Sequence, residues 1–207
     1  MNEKFFALPG EKQQKIINAG YRVFSQNSYK KSPMSEIAGE AGISKSLLFH
    51  YFHNKRELYL FLWDNCAKVT MQYLTEFRCY EQTDLFEMIY RGMQAKFRVM
   101  RIYPYMGNFA VRVFYERNPE VCTAVREIYE KYKDIKANRT LLNLDPNKFR
   151  EGIDISMMYQ DMYLASLGYL WEFCQRDDAD VEKMDVEKME QDFIKMIGFW
   201  KKIYQRE

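Results

Sequence analysis

Lys45, Ser46, Phe49 and His50 fall within six residues of one another, at a spacing that puts them on one face of a short helix. Their side chains are of the kinds that read the edge of a base pair. Lysine donates to guanine O6 and N7, serine serves several edges, and an aromatic ring meets the thymine methyl. Tyr51 and Lys55 follow at the far end, placed to reach phosphates, contacts that set register and affinity rather than sequence preference. Other chemistry finds little support. His50 and His53 are the only histidines, they do not stand four residues apart, and no third ligand is near in sequence, so no metal site is expected. No Ser/His/Asp grouping and no glycine-rich phosphate loop occurs, and the acids are scattered, with Asp161 and Glu116 merely candidate polar groups in a pocket. Neither an enzyme nor a cofactor is expected.

Three helices must position that face. Residues 11–26 carry Ile16, Ile17, Gly20, Val23 and Phe24 on one stripe. A second helix is expected from Ser32-Pro33, with Ser32 as cap, Pro33 in the first turn and Glu36 complementing the dipole. Met34, Ile37, Ala38 and Ala41 give it an apolar face, and Gly42 ends it in the left-handed conformation that glycine tolerates. Ile43 is an apolar plug, and Ser44 caps a third helix over 45–52. Ile43, Ile37, Ala38 and Leu48 then hold the second and third helices at a fixed angle. Helix, tight turn with glycine and second short helix are the parts of a helix-turn-helix, whose second helix enters a major groove about 12 Å wide. Asn54, with Glu57 three residues on, opens a long fourth helix over about 55–79. Further helices are expected near 83–102, 104–116, 119–138, 149–176 and 181–205. Loops are expected at Leu141–Asn147 and Asp177–Asp180. The repeat of Asp-Val-Glu-Lys-Met at 180–184 and 185–189 has a five-residue period that makes no continuous helical stripe, and is read as incidental.

The run from Ile37 to Leu58, IAGEAGISKSLLFHYFHNKREL, strongly resembles the DNA-binding signature of the TetR family. The resemblance covers about residues 11–62, including the Ile16…Phe24 helix. Beyond about residue 65 only length and helical character agree. The resemblance implies base contacts from Lys45, Ser46, Phe49 and His50, and phosphate contacts from Tyr51, Lys55 and Ser35 at the start of the second helix. Three positions depart from the family's pattern. Leu47 stands where a Thr or Ser often contacts the backbone, Phe49 lacks the hydroxyl of the usual Tyr, and Pro33 occupies a common capping position.

Charge is distributed to match. Residues 1–56 carry nine Lys and Arg against four Asp and Glu, whereas the rest carries 22 against 25. A basic head on a mildly acidic body suits a nucleic-acid-binding head. The four cysteines are widely spaced without a CxxC pair, and reduced thiols are expected. The longest uncharged runs, near Ile102–Val111 and Met162–Trp171, are about ten residues, half of what a membrane span needs. With no apolar leader after Met1, a cytoplasmic protein is expected.

The chain is rich in aromatics, with sixteen Tyr, fifteen Phe and three Trp, and its body holds much of the thirteen Met. Such residues at helical spacing make a core, and in excess they make a ligand pocket. The candidates on the nearer helices are Trp63, Tyr73, Phe77, Phe86 and Tyr90. Those further on are Phe97, Tyr103, Phe109, Tyr163 and Trp171. An apolar or aromatic small molecule is the expected effector, a cationic one included, since ring faces hold cations. The last two helices are apolar around more of their circumference than one core face requires, which points to an intermolecular four-helix bundle.

The expectation is therefore an all-α chain in two domains. Residues 1–54 form a three-helix helix-turn-helix domain, and residues 55–207 a larger helical domain for ligand binding and dimerisation. Its partners are a double-stranded DNA operator, a second copy of itself and a small-molecule effector, with no membrane. The function expected is that of a repressor released from a near-palindromic operator. An architectural or division-linked DNA-binding dimer without an inducer is the alternative.

Overall fold

The computed structural model describes residues 3–174 and 185–206; on the last turns of the helix ending at Cys174, only the backbone and the Glu172 side chain are described. The described residues form ten α-helices: α1 (Glu3–Phe6), α2 (Gly10–Gln26), α3 (Met34–Glu40), α4 (Lys45–Tyr51), α5 (Lys55–Glu76), α6 (Leu85–Ile102), α7 (Pro104–Phe114), α8 (Cys122–Leu142), α9 (Ile155–Cys174) and α10 (Val186–Tyr204). Short 3-10 turns at Cys79–Glu81 and Pro146–Lys148 complete the list, and no strand is present among the described residues.

Local chemistry fixes most boundaries. Asp84 accepts from the backbone N–H groups of Phe86 and Glu87 at the start of α6. Pro104 occupies the first turn of α7, where its missing N–H is harmless. Asp185 accepts from Lys188 N at 2.9 Å and opens α10, so the portion expected from 181 begins, as far as the described residues go, at Val186. The Asp177–Asp180 loop and the first copy of the repeat lie outside the described residues.

At the start of α9 a distant segment moves the boundary from expectation. Residues 149 and 150, expected to begin a helix, are engaged with the end of α10. Phe149 bridges Gln205, and Arg150 N donates to the Tyr204 carbonyl at 3.0 Å. The chain then turns at Gly152, with φ of +81°, and α9 begins only after Asp154 accepts from Met157 N. Helix α5, expected to reach residue 79, ends at Glu76 because Arg78 takes a left-handed φ of 52°. The eighth runs on through Leu142 into the segment expected to be loop. Helix α1 was not expected; its Phe5 is fully buried against Tyr51, Phe52 and Phe61.

The chain divides into two compact units. The first comprises residues 1–69 and 103–132, the second residues 70–102 and 133–207. The end of the three-helix head at residue 54 is thus not where the first unit ends. Its core stacks Phe24, Tyr59 and Phe109 with ring centroids 4.8–6.1 Å apart, and Tyr21 joins them from α2. The Tyr21 hydroxyl donates to the Leu62 carbonyl. In the second unit Leu85, Phe86, Phe97, Met158, Met162 and Trp200 form the buried centre. No described helix is long and apolar enough to cross a membrane.

Candidate nucleic-acid interface and ligand cavity

The turn before α4 is built as its sequence implies. Gly42 holds φ at +68°, and Ile43 N donates back to the Ala38 carbonyl at 3.0 Å. Ser44 then caps α4, its Oγ accepting from Leu47 N at 3.1 Å. Ile37, Ala38 and Leu48 are buried between the two helices. The cap at the other helix is not the one expected. Ser32 is buried and its Oγ donates to the Ser28 carbonyl, while Pro33 occupies the cap position in extended backbone, without a side-chain cap. Ser32 tightens the preceding turn instead, because its hydroxyl faces back into the head.

This frame turns Lys45, Ser46, Leu47, Phe49 and His50 outward on α4, and Ser35 outward on α3. Phe49 keeps 37 % of its surface exposed, much for a phenylalanine. The Lys45 ammonium stands 5.9 Å from its ring centroid, a cation–π distance. Tyr51 faces the other way, buried against Phe5. Lys55 Nζ donates to the Tyr29 carbonyl at 2.8 Å and lies 4.4 Å over the Tyr29 ring. Both residues are thus engaged in the frame of the head, through partners distant in sequence that periodicity does not reveal. Asn54 caps α5 as expected, accepting from Glu57 N, and Glu57 reaches back to His53 N. His53 is paired through Nδ1 with Glu57 at 2.8 Å.

The first unit also clamps the head to its later helices. Glu116 accepts from Tyr29 N, and Arg56 Nε donates to the Glu120 carbonyl. Asp64 accepts from the Tyr132 hydroxyl at 2.9 Å and pairs with Lys68 at 2.7 Å. Partial burial raises the Asp64 carboxyl pKa, but Lys68 and Tyr132 outweigh it and hold the group below the usual carboxylate range.

The second unit contains a cavity of about 230 Å³. Residues of α6 line one side at helical spacing: Ile89, Gly92, Met93, Lys96, Phe97 and Met100. Tyr159, Met162, Tyr163, Ser166 and Leu167 come from α9, Lys136 and Thr140 from α8, and Met189 and Phe193 from α10. Burial pushes the Tyr163 hydroxyl pKa up to about 12 and the Cys79 thiol to about 11, so both stay neutral groups on the wall.

Of the aromatics expected to form a pocket, the structure brings Phe97 and Tyr163 to this wall. Tyr73 and Phe77 pack around Leu74 and Cys79, and Phe86 and Tyr90 belong to the core of the second unit. Trp63 is buried in the first unit, its Nε1 donating to the Val125 carbonyl, and Phe109 is fully buried there among Tyr21, Phe24 and Tyr59. Tyr103 is exposed at the start of α7. The side chain of Trp171 lies outside the described residues. Glu116 and Asp161 do not line the cavity; Asp161 accepts from the Tyr204 hydroxyl. Sequence reasoning missed Met93, Lys96, Tyr159 and Met162, whose only signal was their shared helical register with Phe97 and Tyr163.

A capped helix projecting a basic and aromatic face from a glycine turn is the reading head of a helix-turn-helix regulator of transcription. The sequence profile of the bacterial regulatory proteins of the tetR family matches residues 16–61. Over those residues the chain is similar to that family. It is 27% identical over 71 residues to the HTH-type transcriptional regulator AcrR of Shigella flexneri, a stretch that covers 32% of this chain and 33% of that protein. Over 152 residues it is 21% identical to the fatty acid metabolism regulator protein of Bacillus subtilis, covering 73% of this chain and 78% of the other. Among solved structures, the fatty acid degradation regulator FadR from Bacillus halodurans superposes with a TM-score of 0.70 at 17% identity, over 92% of this chain and 96% of that one. Fold is what that structural likeness carries.

Proposed function

We propose that the protein is a homodimeric repressor that binds a near-palindromic operator and is released from it by a small molecule held in the cavity of the second unit. In this reading the two α4 helices enter successive major grooves, about 34–36 Å apart. Lys45, Ser46, Phe49 and His50 meet base edges. Ser35 meets a phosphate, as do the accessible edges of Tyr51 and Lys55, whose first task is to hold the head together. The observation that carries the reading is the outward face of α4, basic and aromatic, on a helix whose cap and turn are fully specified.

Dimerisation through α9 and α10 is supported by apolar side chains left in the open. Met157 is 69 % exposed and Leu164 55 % on α9, and Phe199 is 62 % exposed on α10 beside the exposed Ile194 and Ile203. Exposed apolar side chains of this kind are what a second copy buries. The cavity favours a ligand-responsive regulator over an architectural DNA-binding dimer, which has no use for one. Release requires that the effector bind the DNA-free form more tightly, with a coupling of about 1–3 kcal/mol typical. Helix α5 opens beside the reading head and continues to Glu76, and α6 leads from the cavity wall directly into α7. These are the chain's routes for that coupling.

The test is titration of a fluorescent duplex from the DNA upstream of the gene, with excess nonspecific competitor at two salt concentrations. Competitor-resistant binding that Lys45→Ala weakens or makes indifferent to sequence is the expected result. Equal weak binding to any duplex, unchanged in the variant, overturns it.

A further inference from the structure

The cavity wall is mostly apolar, yet two ammonium-bearing side chains stand on it, Lys96 from α6 and Lys136 from α8. No Asp or Glu occurs among its described lining residues. Lys96 is the informative one. It sits on the cavity face of α6 with Gly92, Met93, Phe97 and Met100, not on the outer face where lysines normally stand. Protein atoms surround it closely, yet the residue keeps much of its surface accessible, and it lines the cavity. Placing an ammonium there costs solvation that a methionine of similar length would not cost. Burial accordingly holds Lys96 below the ordinary lysine range, with the neighbouring Cys79 opposing the effect.

A cation crowded by protein atoms on a mostly apolar wall is relieved by an anion that enters with the ligand. Neutral hydroxyls line the same cavity: Thr140, engaged with the Tyr159 phenol, Ser166, which donates to the Met162 carbonyl, and the high-pKa phenol of Tyr163. The methionines leave a deformable apolar surface for the remainder of the molecule.

We propose that the effector is an amphipathic anion whose charged head pairs with Lys96 while its hydrocarbon part lies against Met93, Phe97 and Met162. This rests on the reading of the cavity as the effector site, and it excludes the cationic effector that the aromatic content alone admits. Lys96 is the residue that selects the sign of the ligand's charge.

The experiment is calorimetric titration of the full-length protein with alkanoates from octanoate to palmitate. The alcohols and trimethylammonium salts of the same chains, and the corresponding acyl-CoA esters, are titrated alongside. Anions are expected to bind at least about tenfold more tightly than the matching alcohols, and the ammonium salts least well. Lys96→Met should bring the anions down to the level of the alcohols, and Lys96→Arg should retain the preference. Folding of both variants is checked by melting, and the comparison within the wild-type protein stands without either. Preference for the alkanoate assigns the head to a carboxylate, and preference for the acyl-CoA assigns it to phosphate; in each case the preference must fall in Lys96→Met. Alcohols or ammonium salts binding as tightly as anions overturn the charge selection but leave the cavity as the effector site. An anion preference that survives Lys96→Met does the same. Failure of every amphiphile to bind removes both.

Discussion

Single side chains in the head serve either the surface or the frame. Ser44 serves the frame: its oxygen satisfies one of the free N–H groups that begin α4. Ser44→Ala should cost about 1 kcal/mol in urea unfolding and weaken DNA binding through loss of order in α4. Lys45 and His50 serve the surface, so replacing either by alanine should leave the unfolding midpoint within about 0.5 kcal/mol. Lys45→Ala should nevertheless relax base preference, as competition between operator and mutated duplexes will report. Asp64 gives a pH signature. Its pKa is lower folded than unfolded, so its contribution is present above about pH 4 and is lost as pH falls through the folded value. Asp64→Asn should therefore lower the melting temperature near neutrality, and the difference from wild type should shrink in acid. At this scale the outward residues of α4 were legible because register alone sets them. Tyr51 and Lys55 were not, because Phe5 and Tyr29 lie 46 and 26 positions away and only tertiary structure brings them together.

The α3–α4 junction, set by neighbouring residues, was readable, and the start of α9, set by a distant segment, was not. The junction of α3 and α4 carries its own signals in Gly42 and Ser44. The beginning of α9 depends on the pairing of Phe149 with Gln205, 56 residues on, which leaves no local trace. Two glycines test the packing of the head by different physics. Gly42→Ala forces a side chain into the left-handed region and should cost about 1–2 kcal/mol with no steric contact involved. Gly20→Ala meets Leu62 Cδ1 at 2.6 Å, and Leu62 is fully buried, so it cannot swing clear. That overpacking should cost about 1–3 kcal/mol. A truncated partner should recover part of it, so Gly20→Ala with Leu62→Val should melt above Gly20→Ala alone.

For the molecule as a whole, the proposed assembly and ligand binding both draw on apolar residues that sequence cannot sort. Phe97 and Phe109 have the same composition signal, yet one lines a cavity and the other is sealed in a core. Nothing in the sequence sets Lys96 apart from the other lysines until its helix is placed. The outward apolar residues of α9 and α10 were more legible, since two helices with apolar side chains nearly all round exceed what one core absorbs. Leu164→Arg with Phe199→Asp should shift the protein to a monomer in light scattering after size exclusion, keep its helical circular dichroism and abolish operator binding.

The division of the chain into units also bears on how such regulators can be recombined. Residues 103–132 return to the first unit, where Phe109 of α7 lies against Tyr21 and Phe24 of α2. A sensor made by grafting a foreign effector domain after residue 54 would replace those residues along with the cavity, and the transplanted head would meet a stranger's α7. A graft that exchanges only 70–102 and 133–207 would carry the whole cavity and leave α7 against α2 beneath the proposed DNA-reading face.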